Sequence, residues 1–389
     1  MGHSGGKVMS KILSIQHSSL HSGIHYSEKG TSMQIDDNIE TCYIMVNFIS
    51  SMDQLILYLK IFYLKPFSRM IILRSLFSSW AASCRSNKSF IKRNTIYEAL
   101  LKGQLSIYER EEISKLIAKH ISKKASLKSN YNLISKKTSD QRLGINPNSD
   151  VLSKYGWQDV SCELTKNLAN EVQAYVGSIE EQIKMEVSLN TKKRAYDLDQ
   201  RELIKLPSVA DLLKNQELHH FIEMQIGLPV KIKFFQAFLS FPIDGAQGSQ
   251  LWHRDRDDFK ELKMFIYCSD VDYETGPHAF LPCSHRIDFN KQMASNSSEI
   301  DKSLISDKRR QRYEDTTLKR IYPSVDYHVF TGNAGTSFIE NTHGLHRGYP
   351  PSNKTRLMFA ICWCIGMEYF NNSPDYVLKS QEALNSLKN

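Results

Sequence analysis

His253 and Asp255 lie two positions apart in Leu251-Trp252-His253-Arg254-Asp255, so in a strand both side chains leave the same face. A second histidine, His346, follows 93 positions later in Thr342-His343-Gly344-Leu345-His346-Arg347-Gly348, and Arg356 stands ten residues beyond it. Two imidazoles and one carboxylate on one side of a metal leave its other side open, a donor set that suits Fe(II) and oxygen chemistry. The guanidinium of Arg356 adds a planar fork that matches a carboxylate, as a dicarboxylate co-substrate would require.

A rigid sheet would hold these groups best. From Pro229 the chain takes on strand texture, with Phe234, Phe235, Phe238, Leu239 and Phe241 bracketed by Gly and Pro. Further strands are predicted over 262–268, 278–282, 326–330, 335–340 and 356–365. Upstream, Cys162, Leu164, Leu168, Val172 and Val176 recur at helical spacing from Ser161. A capping-box signal at Ser208–Asp211 predicts a second helix around 208–224, through Leu212, Leu213, Leu218, Phe221 and Ile222. Helices followed by short strands and Gly/Pro turns indicate an α+β domain around a β-sandwich or barrel. The stretch 286–325, with Lys302, Lys308, Arg309, Arg310 and Arg312, reads as a long charged loop insertion, suited to a lid or an anion contact.

A His-x-Asp pair is common by chance; the order of motifs around this one is more specific. The strand Leu262–Tyr267 follows it, then Asp270-Val271-Asp272-Tyr273-Glu274-Thr275-Gly276-Pro277 and Phe280-Leu281-Pro282-Cys283-Ser284-His285. A turn at Gly332–Gly335 precedes Thr336–Glu340 and His346, and Pro350, Pro351 and Arg356 close the set. Over residues 155–366, most sharply over 250–286 and 328–360, this order resembles the phytanoyl-CoA dioxygenase-like family of Fe(II)/2-oxoglutarate-dependent oxygenases. The resemblance implies a double-stranded β-helix (jelly-roll) core with flanking helices. It implies His253, Asp255 and His346 as iron ligands and catalytic centre. It also implies Arg356 as the anchor of the distal carboxylate of 2-oxoglutarate, and Gln236 as a polar residue facing that co-substrate. Fe(II), 2-oxoglutarate and O2 would be the cofactors, succinate and CO2 the co-products, and hydroxylation of a small organic or lipid-like molecule the reaction. Related halogenases lack the carboxylate ligand, so Asp255 favours hydroxylation. Cys283 stands where the family usually has glycine, so that loop is expected to turn differently. His285 and His343 are the other candidates for the distal ligand; the strand-like run to Arg356 favours His346. His278 is a candidate rim or substrate contact.

The chain has 389 residues, 41% of them hydrophobic, and a mean hydropathy of −0.40. That is ample for a packed core and indicates a soluble protein. Dense turn chemistry at Asn146–Asp150 places a boundary there. Residues 1–40 then read as a polar tail, 41–150 as a basic helical extension broken at Pro66 with a helix over 94–125, and 151–389 as the catalytic domain. Residues 1–150 hold 21 Lys and Arg against 11 Asp and Glu, whereas the remainder holds 29 against 31. The positive charge therefore belongs to the extension. Basic and apolar residues interleaved over 60–137 could meet nucleic acid or an anionic membrane. A solvated helical cap or accessory bundle is favoured, since no zinc finger, RNA-recognition signature or P-loop accompanies them. Seven cysteines without a Cys-x-x-Cys pair argue for a reducing, cytoplasmic setting. The first 40 residues lack the apolar core of a secretion signal, and no apolar run reaches the roughly 18–20 residues of a membrane span. Two other classes use similar ligands. One is a non-catalytic or isomerase-type metal-binding jelly roll of the cupin kind; the other is a zinc hydrolase built on His2Asp. Neither needs the fork of Arg356.

Overall fold

The computed structural model describes residues 100, 105–115, 150–189, 194–242, 244–295, 297–306, 312–365 and 375–387. All of them fall in the unit Ser51–Asn389. The expectations for residues 1–40 and for most of 41–150 lie outside the described residues. Within these residues no helix is long and apolar enough to cross a membrane.

The chain forms helices, then two antiparallel sheets with helices between their strands. After residue 150 come the helices α1 (Val151–Tyr155), α2 (Glu163–Ser178), α3 (Glu180–Leu189), α4 (Gln200–Leu203), α5 (Pro207–Lys214) and α6 (Gln216–Ile226), with β1 (Trp157–Asp159) and β2 (Ala195–Asp197) among them. Then follow β3 (Lys231–Ser240), β4 (Glu261–Tyr267), β5 (His278–Phe280), β6 (His328–Phe330), β7 (Ser337–Glu340), β8 (His346–Gly348) and β9 (Arg356–Cys364). Helices α7 (Ile287–Ser295), α8 (Glu299–Ile305) and α9 (Asp315–Ile321) lie between β5 and β6, and α10 (Asp375–Ser386) closes the described chain.

The larger sheet has the order β1-β7-β4-β9-β3-β2 and the smaller one β6-β5-β8. A bridge between His253 and His346 adds the 252–253 segment beside β8. From β3 onward the chain therefore goes to the larger sheet, to the smaller at 253, back at β4, across for β5 and β6, and then alternates through β7, β8 and β9. This alternation puts residues from distant parts of the sequence on facing inner surfaces.

Strand periodicity decides which side chains meet. Phe235, Ala237, Met264, Ile266, Ile339, Phe359, Ile361 and Trp363 form one core with Leu168 and Val172 of α2, Val209 and Leu212 of α5, and Phe221 and Ile222 of α6. Each such large apolar side chain, fully buried, contributes about 1.5–3 kcal/mol. The opposite face of the same strands carries Phe265, Tyr267, Phe338, Met358 and Ala360, which meet Phe280 and Phe330 of the smaller sheet. Phe330 and Phe338 stack across the two sheets at 3.7 Å. The outer face of the smaller sheet, with Trp252, Ala279, Leu281 and Leu345, is covered by Ile305, Leu318 and Ile321 of α8 and α9.

Three local expectations are corrected. The helix expected around 208–224 is two helices, because Asn215 is extended and its side chain accepts from Leu218 N–H. An amide that caps a new helix competes with continuation of the old one. Ser208 is not a cap: Leu206 is, with Pro207 at the first helical position, while Ser208 donates Oγ–H and N–H to Glu171 at 2.8 and 2.9 Å. The 286–325 stretch is largely helical rather than loop.

Cys283 also departs from expectation. It is the one non-glycine residue with positive φ among the described residues, at 65°. It thus takes up the left-handed backbone that glycine favours, at a strain of roughly 1–2 kcal/mol.

Candidate metal centre

The smaller sheet brings His253 and His346 face to face. Each backbone N–H donates to the other residue's carbonyl at 3.0 Å, and the ring centroids are 4.3 Å apart. Asp255, two residues along, is held by its N–H to Thr342 O at 2.8 Å. His253 Nε2 lies 3.5 Å from Asp255 Oδ1, and His346 Nε2 lies 3.4 Å from Asp255 Oδ2. One ligand atom from each of the three lies within 4.8 Å of the others.

The two imidazoles are oriented by their remaining nitrogens. His253 Nδ1–H donates to Leu251 O at 2.8 Å and His346 Nδ1–H to Gly344 O at 3.0 Å. A carbonyl can only accept, so in each neutral ring Nδ1 carries the hydrogen and Nε2, the nitrogen facing the carboxylate, is the one that could bind a metal. Burial, and then the like charge of His346, lowers the His253 pKa to about 4, so this ring is neutral at pH 7. For His346 burial opposes the charged form, but the Asp255 carboxylate outweighs it and raises the pKa. Burial alone would raise Asp255; Lys263 and His346 overcome it and hold the carboxyl well below the usual range. Two neutral-capable imidazoles and an ionised carboxylate, pre-aimed at one point, fit a divalent ion of the Fe(II) type.

Lys263 was not singled out in the sequence. It stands on the inner face of β4, in register with Glu340 and Cys362, and its Nζ donates to Asp255 Oδ2 at 2.6 Å and to Asp257 Oδ2 at 2.8 Å. Burial works against its ammonium, yet the two carboxylates outweigh it and raise its pKa well above the ordinary value. Lys233 adds a second cation on the Asp257 carbonyl at 2.6 Å. The available signal was the β4 alternation itself: Glu261 and Lys263 share a face with Phe265 and Tyr267, so two charged residues had to point inward.

The other candidate histidines lie outside the triad. His285 Nε2–H donates to Ser153 O at 2.9 Å and ties its loop to α1. His343 Nε2–H donates to Asp258 O at 3.1 Å, and burial pushes its pKa down to about 3. His278 faces inward: its Nε2–H is shared by the Glu340 carboxylate oxygens at 2.9 and 3.1 Å, and its ring stacks on His346 at 5.7 Å.

Arg356 opens β9 opposite Ser240 and is buried, 4% exposed. It donates to the carbonyls of Gly276 and Tyr349; its Nε is buried without a partner, and no carboxylate pairs with it among the described residues. A buried cation so placed favours an anion beside it. Gln236, paired with Ala360 on β3, lies on the same inner face. Gln236 and Phe238 stay half-buried while their outward neighbours Phe235 and Ala237 are fully buried, so protein does not fill the space over this part of the strand.

Gly276 shapes the Arg356 subsite. Its φ is +76°, and a Cβ there would lie 2.4 Å from Tyr349 O and 2.6 Å from Pro351 N. Gly276→Ala is expected to lower stability by about 2 kcal/mol or more, from left-handed strain plus the clash, as read by urea denaturation.

No family model matches the chain, and no curated protein matches it. Several solved structures are similar to it. One is AviO1 from Streptomyces viridochromogenes, at 14% identity over 61% of this chain and 100% of that one, with a TM-score of 0.38. Another is the non-heme alpha ketoglutarate dependent carbocyclase SnoK from nogalamycin biosynthesis, at 15% identity over 58% and 87%, TM-score 0.37. A third is EctD from S. alaskensis with bound Fe, at 12% identity over 62% and 86%, TM-score 0.41. A functional reading of this chain rests on the side chains themselves.

Proposed function

We propose that this chain is an Fe(II)- and 2-oxoglutarate-dependent dioxygenase that hydroxylates a small organic or lipid-like substrate on a double-stranded β-helix. The observation that carries the reading is the pair of imidazoles locked by Leu251 and Gly344 carbonyls with both Nε2 atoms aimed at Asp255. The alternation of strands between two antiparallel sheets supports the fold. Bound to His253, Asp255 and His346, iron would supply O2 activation coupled to conversion of 2-oxoglutarate into succinate and CO2 and to oxidation of a substrate C–H bond.

The chain's own residues bind, orient and exclude. Arg356 would fork onto the distal carboxylate of 2-oxoglutarate, and Gln236 would face the co-substrate from β3. Phe265, Phe338 and Met358 belong to the apolar cluster between the sheets and would exclude water from the site. The carboxylate at Asp255 leaves no vacancy for a halide, which favours hydroxylation. A cytoplasmic setting and a small-molecule partner belong to the same reading.

Succinate formation from 2-oxoglutarate with Fe(II), across a metabolite screen, tests it. Substrate-stimulated succinate is expected. Metal binding with no succinate under any condition would favour the cupin-like alternative. Arg356→Ala is expected to weaken 2-oxoglutarate about 100-fold, the loss of a charge-assisted pair of about 2–3 kcal/mol. Mn(II) affinity should not change, and titration calorimetry reads both. Unchanged 2-oxoglutarate affinity would remove the co-substrate assignment.

A further inference from the structure

The segment 105–115 precedes both sheets in the chain, yet it reaches the candidate metal centre. It is helical over 107–115. Ser106 and Glu109 start it reciprocally: Ser106 N–H donates to Glu109 Oε2 at 2.8 Å, and Glu109 N–H to Ser106 Oγ at 3.3 Å. Leu105 and Ile113 are buried in the same core as the outer face of the larger sheet. On the inward side Arg110, only 2% exposed, donates from Nη1 to the backbone carbonyl of Asp255 at 3.1 Å. One turn on, the Ser114 hydroxyl lies 2.8 Å from the carbonyl oxygens of both Arg110 and Phe259.

The loop between Asp255 and Phe259 has no strand ladder of its own. Its backbone is fixed at Asp255 from two sides, by Thr342 O on the N–H and by Arg110 on the carbonyl, and at Phe259 by Ser114, while Lys233 and His343 hold the carbonyls of Asp257 and Asp258 between them. The same segment touches the helices over the smaller sheet: Ile107 N–H donates to Ser306 O at 3.0 Å, and Lys291 Nζ sits over the Tyr108 ring at 5.9 Å. The guanidinium addresses the main chain of Asp255, whereas the carboxylate finds its main charge partners in Lys263 and the two imidazoles.

We propose that segment 105–115 is a clamp on the metal centre, in which Arg110 and Ser114 are positioning residues that set the backbone of the carboxylate ligand. This rests on the metal-centre reading above. It gives a stretch of the basic N-terminal region a defined task at the site.

The test uses the full chain, with Mn(II) as the probe. Arg110→Ala is expected to weaken Mn(II) binding about 10-fold, in the range seen when partners behind a ligand are lost. In the metal-free protein it is expected to raise deuterium exchange at the amides of 255–259 while β3, β4 and β9 stay protected. Arg110→Lys should restore part of both. Ser114→Ala, which keeps the guanidinium, should move both in the same direction by less, and it decides the matter if Arg110→Ala does not fold. Wild-type protein that binds no Mn(II) would sink the metal-centre reading, and this clamp with it. Wild-type binding together with unchanged affinity and exchange in the folded variants would sink the clamp alone.

Discussion

His346→Ala is expected to abolish specific binding of divalent metal while both sheets stay folded. The side chain would supply one of three donor atoms, and its Nδ1–H bond to Gly344 O orients only itself. Losing a partner behind a ligand already costs 10–100-fold, so losing the ligand should weaken Mn(II) binding by more than about 100-fold. Succinate formation should disappear with it. His253→Ala and Asp255→Ala should act alike on binding. Asp255→Ala should also destabilise the protein, since it strands part of the charge on Lys263. Calorimetric titration with Mn(II), beside circular dichroism to confirm the fold, reads the result; wild-type affinity in His346→Ala would end the triad assignment.

Lys263→Met is the second large effect. The ammonium stands between two carboxylates, Asp255 and Asp257, in a site where its own side chain is 9% exposed. Taking away one partner of a buried ion cluster leaves charge uncompensated, at a cost of about 3–5 kcal/mol. The metal-free variant should lose stability of that order in urea denaturation. Saturating Mn(II) should recover a good part of it, because a divalent ion can balance Asp255 in place of the ammonium. A variant as stable as wild type without metal would show that Lys263 is not what keeps the two carboxylates together.

The β-strands were legible because they are short apolar runs set between turn residues: 262–268 was expected and β4 spans Glu261–Tyr267, and 356–365 was expected and β9 spans Arg356–Cys364. His253 and Asp255 could be read as a pair because two-residue spacing fixes their common face. Their meeting with His346 could not be read from spacing, since it depends on a cross-strand bridge over 93 positions. Lys263 escaped because a charged residue inside a strand looks solvent-facing until the burial of both sheet faces is known. Asn215 escaped because its capping competes with a helix pattern that runs through it on both sides. The reach of Arg110 to Asp255 is a tertiary contact across 145 positions, with no local signal at either end.

The cross-strand pairing of His253 and His346 has a consequence for the life of the chain. An ion held by both would rivet two distant stretches together and could only be captured once they had met. It would then favour the assembled form by RT ln(1 + [M]/Kd), or about 1.4 kcal/mol for each tenfold excess of metal. Persistence of this protein would then track the iron supply, with starvation shortening its survival through the same two side chains that the proposed turnover would use.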